Sequence, residues 1–222
     1  MRFFSEIEAL AAERKGGADA LEHLLSVPQP DRKIKKIPDD RWLSAMTKCV
    51  FQAGFNWRLI ERKWDRFEEV FEGFNVNQWA MMSNDDLDRL LKTEGIVANA
   101  AKIGSVGANA LFLSELSKKH GSVGSYFSGW KPGRYCENLR SLHKSGSRLG
   151  GRTGQTFLRR MGVDTLVFTP DVLKALGREN VVSRMPSSGK DFVAVQSVVD
   201  AWSGESERCL TQISQILAFS VE

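Results

Sequence analysis

Between Gly146 and Asp171 the chain reads GSRLGGRTGQTFLRRMGVDTLVFTPD, and the glycines at its head restrict the fold more than any other stretch. Gly146, Gly150, Gly151 and Gly154 fall within nine positions, which frees the backbone to take positive φ and to approach another molecule closely. A tight turn between two helices follows. From Asn138 to Val163 there is no Asp or Glu, while Arg140, Lys144, Arg148, Arg152, Arg159 and Arg160 are all present. That is a concentrated cationic surface in a chain whose net charge is only +4. Main-chain N–H groups at a helix start, ringed by guanidinium groups, suit a phosphate, and a nucleic-acid backbone is the commonest large partner for such a surface. A plain αα-hairpin with a solvated basic face would show the same pattern. Beyond it, Thr169-Pro170-Asp171 is a helix start, with Thr as N-cap, Pro at the first helical position and Asp in the first turn.

The rest of the chain reads as a helical body. Residues 5 to 25 carry apolar stripes (Ile7, Leu10, Ala11, then Leu21, Leu24, Leu25) interrupted by Gly16 and Gly17, a helical pair. VPQPDRKIKKIP, with Arg32, Lys33, Lys35 and Lys36, reads as a strap whose charges are solubilising or a second phosphate contact. From Asp39 the spacing predicts a central helix stopped at Gly54, with Trp42, Leu43, Met46, Val50 and Phe51 on a wide apolar face, and a second helix from Trp57 to Gly73. A short helix over 75–82 comes next, and Ser83 caps another. A long helix rich in small residues follows Gly95, in which Lys102 and Asn109 are polar insertions. Short helices, the hairpin, the Thr169 start and two final helices, the first opened by a Ser188–Asp191 capping pattern, complete an all-α chain with no convincing strand.

Three cysteines, Cys49, Cys136 and Cys209, are odd in number and far apart, and His23, His120 and His143 are equally scattered, so neither a disulfide framework nor a metal site is suggested. Acids inside the first apolar run argue against a signal segment, and no long apolar stretch follows. A soluble, cytoplasmic protein without cofactor is expected.

The run KCVFQAGFNWRLI, the acidic DDLDRLL and GIVANAAKIGSVGANA, in that order, resemble the 3-methyladenine DNA glycosylase I family within the helix-hairpin-helix glycosylases, over about Asp39 to Leu176. The resemblance implies a compact helical fold with a central cleft. In it, backbone amides of the hairpin grip double-stranded DNA and a flipped damaged base enters an aromatic pocket. Gln52, Ala53, Gly54 and Trp57 match the family's QAG turn and its tryptophan. Carried over in this way, Trp57, Gln52, Cys49, Trp42 and Phe51 form the base pocket; Lys144, Gly146, Arg148, Gly150, Gly151 and Arg152 hold DNA; and Asp171 is the sugar-side carboxylate. Cys49 stands where the family has a pocket glutamate, and the family's zinc site has no counterpart. The implied activity is hydrolysis of the N-glycosidic bond of an alkylated purine such as 3-methyladenine by a monomeric, monofunctional enzyme. Because the glutamate is replaced, a catalytically inactive helix-hairpin-helix DNA-binding protein is the alternative. The implied domain division is an extension over 1–38 and a glycosylase-like domain over 39–222.

Overall fold

The computed structural model describes residues 1–221, and among them every regular element is helical. In chain order the α-helices are α1 (Phe4–Lys15), α2 (Ala18–Leu24), α3 (Asp31–Ile34), α4 (Asp39–Gln52), α5 (Trp57–Arg62), α6 (Trp64–Val70), α7 (Val76–Trp79) and α8 (Asn84–Lys92). There follow α9 (Ala100–His120), α10 (Val123–Ser128), α11 (Tyr135–Ser145), α12 (Arg152–Arg160), α13 (Pro170–Arg178), α14 (Gly189–Ser206) and α15 (Leu210–Phe219).

Local signals place most of the starts. Ser83 accepts from the Asp86 N–H while Asp86 reaches back to Ser83, and Ser188 and Asp191 do the same, two reciprocal capping boxes. Thr169 Oγ1 accepts from the Val172 N–H at 3.1 Å. The long helix begins at Ala100 rather than directly after Gly95, because Asn99 takes the N-cap and accepts from the Lys102 N–H at 3.0 Å. The predicted helix over 57–73 is broken at Lys63 and ends in a 3₁₀ turn, with Gly73 at φ 69°.

Contacts divide the chain into two units. The first comprises Met1–Gln29, Trp130–Arg140 and Gly162–Glu222; the second comprises Pro30–Gly129 and Ser141–Met161. In the first, α1 lies against α2, α14 and α15, and α13 packs on α15. Phe4, Ile7 and Ala11 are buried there, with the Phe4 and Trp202 ring centroids 5.8 Å apart. Asp164 caps α15 from a distance in sequence, accepting from the N–H groups of Leu210 and Thr211. By contacts, Met1–Gln29 groups with the last helices of the chain and Pro30–Gly129 with the second unit. The apolar stripe of the N-terminal helices finds its partner in the last helices of the chain.

In the second unit α4 is central, against α9, α12 and α10. Its core is aromatic: Trp42 stacks on Phe127, and Phe51, Phe67, Phe71, Phe74 and Trp79 continue the cluster. The strap is tied to this unit, since Ile34 is buried and a Cβ on Gly124 of α10 would meet the Ile34 carbonyl oxygen at 2.5 Å.

Candidate functional site

Within the second unit, α9 holds two loops at once. Asn109, fully buried, grips the turn between α11 and α12 with both ends of its amide. Its Nδ2 donates to the Ser147 carbonyl at 3.0 Å, and the Ser147 N–H donates to its Oδ1 at 2.8 Å. The next residue, Arg148, is held at a φ of 59°, uncommon for a residue with a Cβ and sustained only where neighbours over-determine it. Gly151 closes the turn at φ 56° and ψ −132°. At Gly154 a Cβ would fall 2.5 Å from the Leu149 carbonyl oxygen, so the first turn of α12 sits directly on the loop. Gln155, also buried, donates to the Gly151 carbonyl at 3.0 Å. The glycine stretch is thus a braced turn, with Lys144, Arg148 and Arg152 exposed around it.

About two turns toward its N-terminus, α9 reaches the QAG turn. The buried Lys102 donates from Nζ to the carbonyls of Phe51 and Ala53, at 3.1 and 2.7 Å, neutralising the C-terminal end of α4. Its ammonium lies 4.1 Å from the Phe55 ring centroid. Burial first, and then the Arg148 guanidinium, hold the Lys102 pKa below the ordinary lysine value.

From the other side α12 returns to the same turn. Arg160, its last residue, donates through Nη2 to Gln52 Oε1 at 2.8 Å and through Nη1 to Cys49 Sγ at 3.4 Å. Its guanidinium carbon is 5.9 Å from the Trp57 ring centroid. Gln52 Nε2 donates to Glu61 Oε2 at 3.2 Å, and that carboxylate is paired with Lys48 at 2.8 Å. Both ends of the Gln52 amide are therefore engaged. Burial pushes the Cys49 thiol up to about 11, against the pull of Arg160 and Lys48, so Cys49 is a neutral thiol. Trp57 and Phe55 are 54% and 40% exposed, two partly exposed rings that each carry a cation over one face.

Of the residues singled out from the sequence, Cys49, Gln52 and Trp57 are gathered around Arg160, and the hairpin residues share one braced turn in which Gly146 is packed against Leu149. Trp42 and Phe51 need correction. Both are fully buried; Trp42 stacks on Phe127 and its Nε1–H donates to the Ile37 carbonyl at 3.3 Å, and Phe51 lies edge-on to Phe67. Because α4 is enclosed by its neighbours, its aromatic side chains belong to the core and have no surface for a base. Asp171 belongs to the first unit and is exposed in the first turn of α13. Sequence reasoning left Lys102 and Asn109 as polar insertions and placed Arg160 only within a basic stretch. Among the described residues no three His, Cys, Asp or Glu side chains gather into a metal-binding group, and no helix is long and apolar enough to cross a membrane.

Residues 35–148 match the family model for methyladenine glycosylase, just over half of the 222-residue chain. The chain belongs to the methyladenine glycosylase family. It is accordingly a DNA glycosylase of the 3-methyladenine type, a hydrolase acting on N-glycosidic bonds. The match covers the QAG turn and α9 and stops at Arg148, before α12.

Solved structures agree on the fold. The 3-methyladenine DNA glycosylase I from Staphylococcus aureus is 20% identical with a TM-score of 0.52, covering 66% of this chain and 85% of its own. A 3-methyladenine DNA glycosylase I in complex with 3-methyladenine gives 18% and 0.53, over 66% and 86%. The Methanocaldococcus jannaschii 8-oxoguanine glycosylase/lyase, in complex with a 15mer DNA containing 8-oxoguanine, gives 12% and 0.54 over 96% of both chains. The helical fold is therefore shared with these glycosylases.

Proposed function

We propose that the protein excises alkylated purines such as 3-methyladenine from double-stranded DNA, acting as a monomer and by hydrolysis alone. The braced hairpin takes a phosphate on the start of α12, with Lys144, Arg148 and Arg152 around it. The extruded base stacks on Trp57, with its edge toward Cys49 and Gln52. Asp171 acts on the sugar side, stabilising positive charge that develops at C1′ and orienting the attacking water. An alkylated, cationic purine leaves as a neutral base, so little help is required at its edge. The support for this reading is the ring of contacts in which α9 and α12 tie the QAG turn to the hairpin within one unit, of which the family match covers the QAG turn and α9.

The test is base release from alkylated duplex DNA by native protein and by Asp171→Asn. The substitution is expected to slow release by on the order of 10²–10³-fold while leaving salt-sensitive DNA binding in place. Release at the native rate would remove Asp171 from the chemistry, and no release by the native protein would leave a DNA-binding protein without catalysis.

A further inference from the structure

We propose that Arg160 gives this site a second class of substrate: neutral purines whose edge carries hydrogen-bond acceptors, such as the oxo-purines formed by deamination or oxidation. The inference rests on the base-excision reading above and concerns only which bases leave.

Local charge points this way. Cys49 is a neutral thiol, and the carboxylate that meets Gln52, Glu61, is already paired with Lys48. Arg160 stands against Cys49 and Gln52, and Lys102 is anchored at the other end of the same turn. The edge beside Trp57 therefore has surplus positive charge and surplus N–H donors. A cationic alkylpurine gains nothing from a guanidinium and is repelled by it. A neutral purine has the opposite requirement. When its C1′–N9 bond breaks, both electrons of the bond go to the base, and the resulting negative charge spreads over ring nitrogens and carbonyl oxygens. A guanidinium fork is matched to two adjacent acceptors on a purine edge, the O6 and N7 of a base such as hypoxanthine, and on 8-oxoguanine, whose N7 carries a hydrogen, it can still donate to a carbonyl oxygen; donors aimed at developing charge are among the largest contributors to catalysis.

The geometry leaves Arg160 free to do this. Its Nη1 contact is to a thiol sulfur, a weak acceptor, at 3.4 Å, so exchanging it for a carbonyl oxygen costs little. The side chain is exposed, and its guanidinium lies over one face of the half-exposed Trp57 ring, 5.9 Å from the centroid, so a base entering on that face meets the guanidinium directly. The step balances: water adds its oxygen to C1′, one of its protons ends on the released purine, and nothing is oxidised or reduced.

Single-turnover release from duplex oligonucleotides carrying hypoxanthine or 8-oxoguanine, and from DNA carrying cationic 7-methylguanine and 3-methyladenine, decides the matter. The proteins are native, Arg160→Ala, Arg160→Lys and Cys49→Glu, each checked by thermal melting. Native protein is expected to release at least one of the neutral purines. Arg160→Ala should lower that rate tenfold or more, and lower release of the cationic bases by a clearly smaller factor. Arg160→Lys should recover part of the loss, and Cys49→Glu should shift preference toward the cationic bases. Release confined to cationic bases overturns the proposal while leaving base excision intact, as does an equal loss on both classes in Arg160→Ala, which would mark a side chain that only braces Gln52. Absence of release from every substrate overturns base excision and this proposal together.

Discussion

His143 sits at the foot of the hairpin, and its surroundings set a pH response. Burial lowers its pKa from the ordinary histidine value, and a hydrogen bond to the Gly151 backbone works in the opposite direction. The folded protein thus binds this proton less readily than the unfolded chain does. Stability from this group is complete above the unfolded value of about 6.5. It is lost as pH falls below that value, until the lower folded pKa has been passed. Urea unfolding between pH 5 and 7.5 should show a falling midpoint on the acid side, and His143→Asn should flatten that slope. An unchanged slope in the variant would place the acid sensitivity elsewhere. At this scale the sequence was only partly readable. Trp57, Gln52 and Cys49 could be picked out from a short contiguous motif. Arg160 could not be linked to them, because it meets Gln52 across 108 positions and no local periodicity carries such a contact.

Among the elements, the hairpin depends on a helix that contributes nothing to its own sequence. Asn109 on α9 supplies two hydrogen bonds to Ser147, each with a net value of about 1 kcal/mol. Asn109→Ala would strand a backbone donor and a carbonyl on a partly buried turn, for a loss of about 2 kcal/mol by denaturant unfolding. Because the left-handed Arg148 conformation is secured by that grip, DNA affinity should also fall by about tenfold, equivalent to about 1.4 kcal/mol, although no charge has changed. Affinity unaltered in the presence of the stability loss would mean that the turn needs no bracing to meet a phosphate. Helix starts were legible at Ser83, Thr169 and Ser188, where a side chain and its partner are three residues apart, but not at Asn99, whose cap on Lys102 has the same spacing. The break at Lys63 and the capping of α15 by Asp164 were not legible either; no breaker residue marks the first, and the second spans 46 positions.

For the molecule as a whole, the all-helical class was written in the spacing, while the division into units was not. A linear reading assigns residues 1–38 to an extension, yet Met1–Gln29 helps to build a unit completed by residues from 162 onward. Removing residues 1–29 would withdraw Phe4, Ile7 and Leu21 from that core. At about 1.5–3 kcal/mol for each large buried apolar side chain, the loss rivals the whole stability of an ordinary domain. Hydrogen exchange on the truncated protein should show protection lost in α13, α14 and α15 and retained in α4 and α9. Uniform retention would show that the first two helices are dispensable.

That interleaving also has a consequence while the protein is being made. α1 leaves the ribosome well before the helix it lies against, α15, which is synthesised about 200 residues later, an interval of about 10 to 40 s at 5–20 residues per second. Throughout that time Phe4 and Ile7 have no lasting shelter in their own unit, whereas the second unit has all its residues once Met161 has emerged. α1 is thus housed in its unit long after it emerges, and slow translation of the stretch that follows Met161 prolongs its exposure to chaperones and to other unfinished chains.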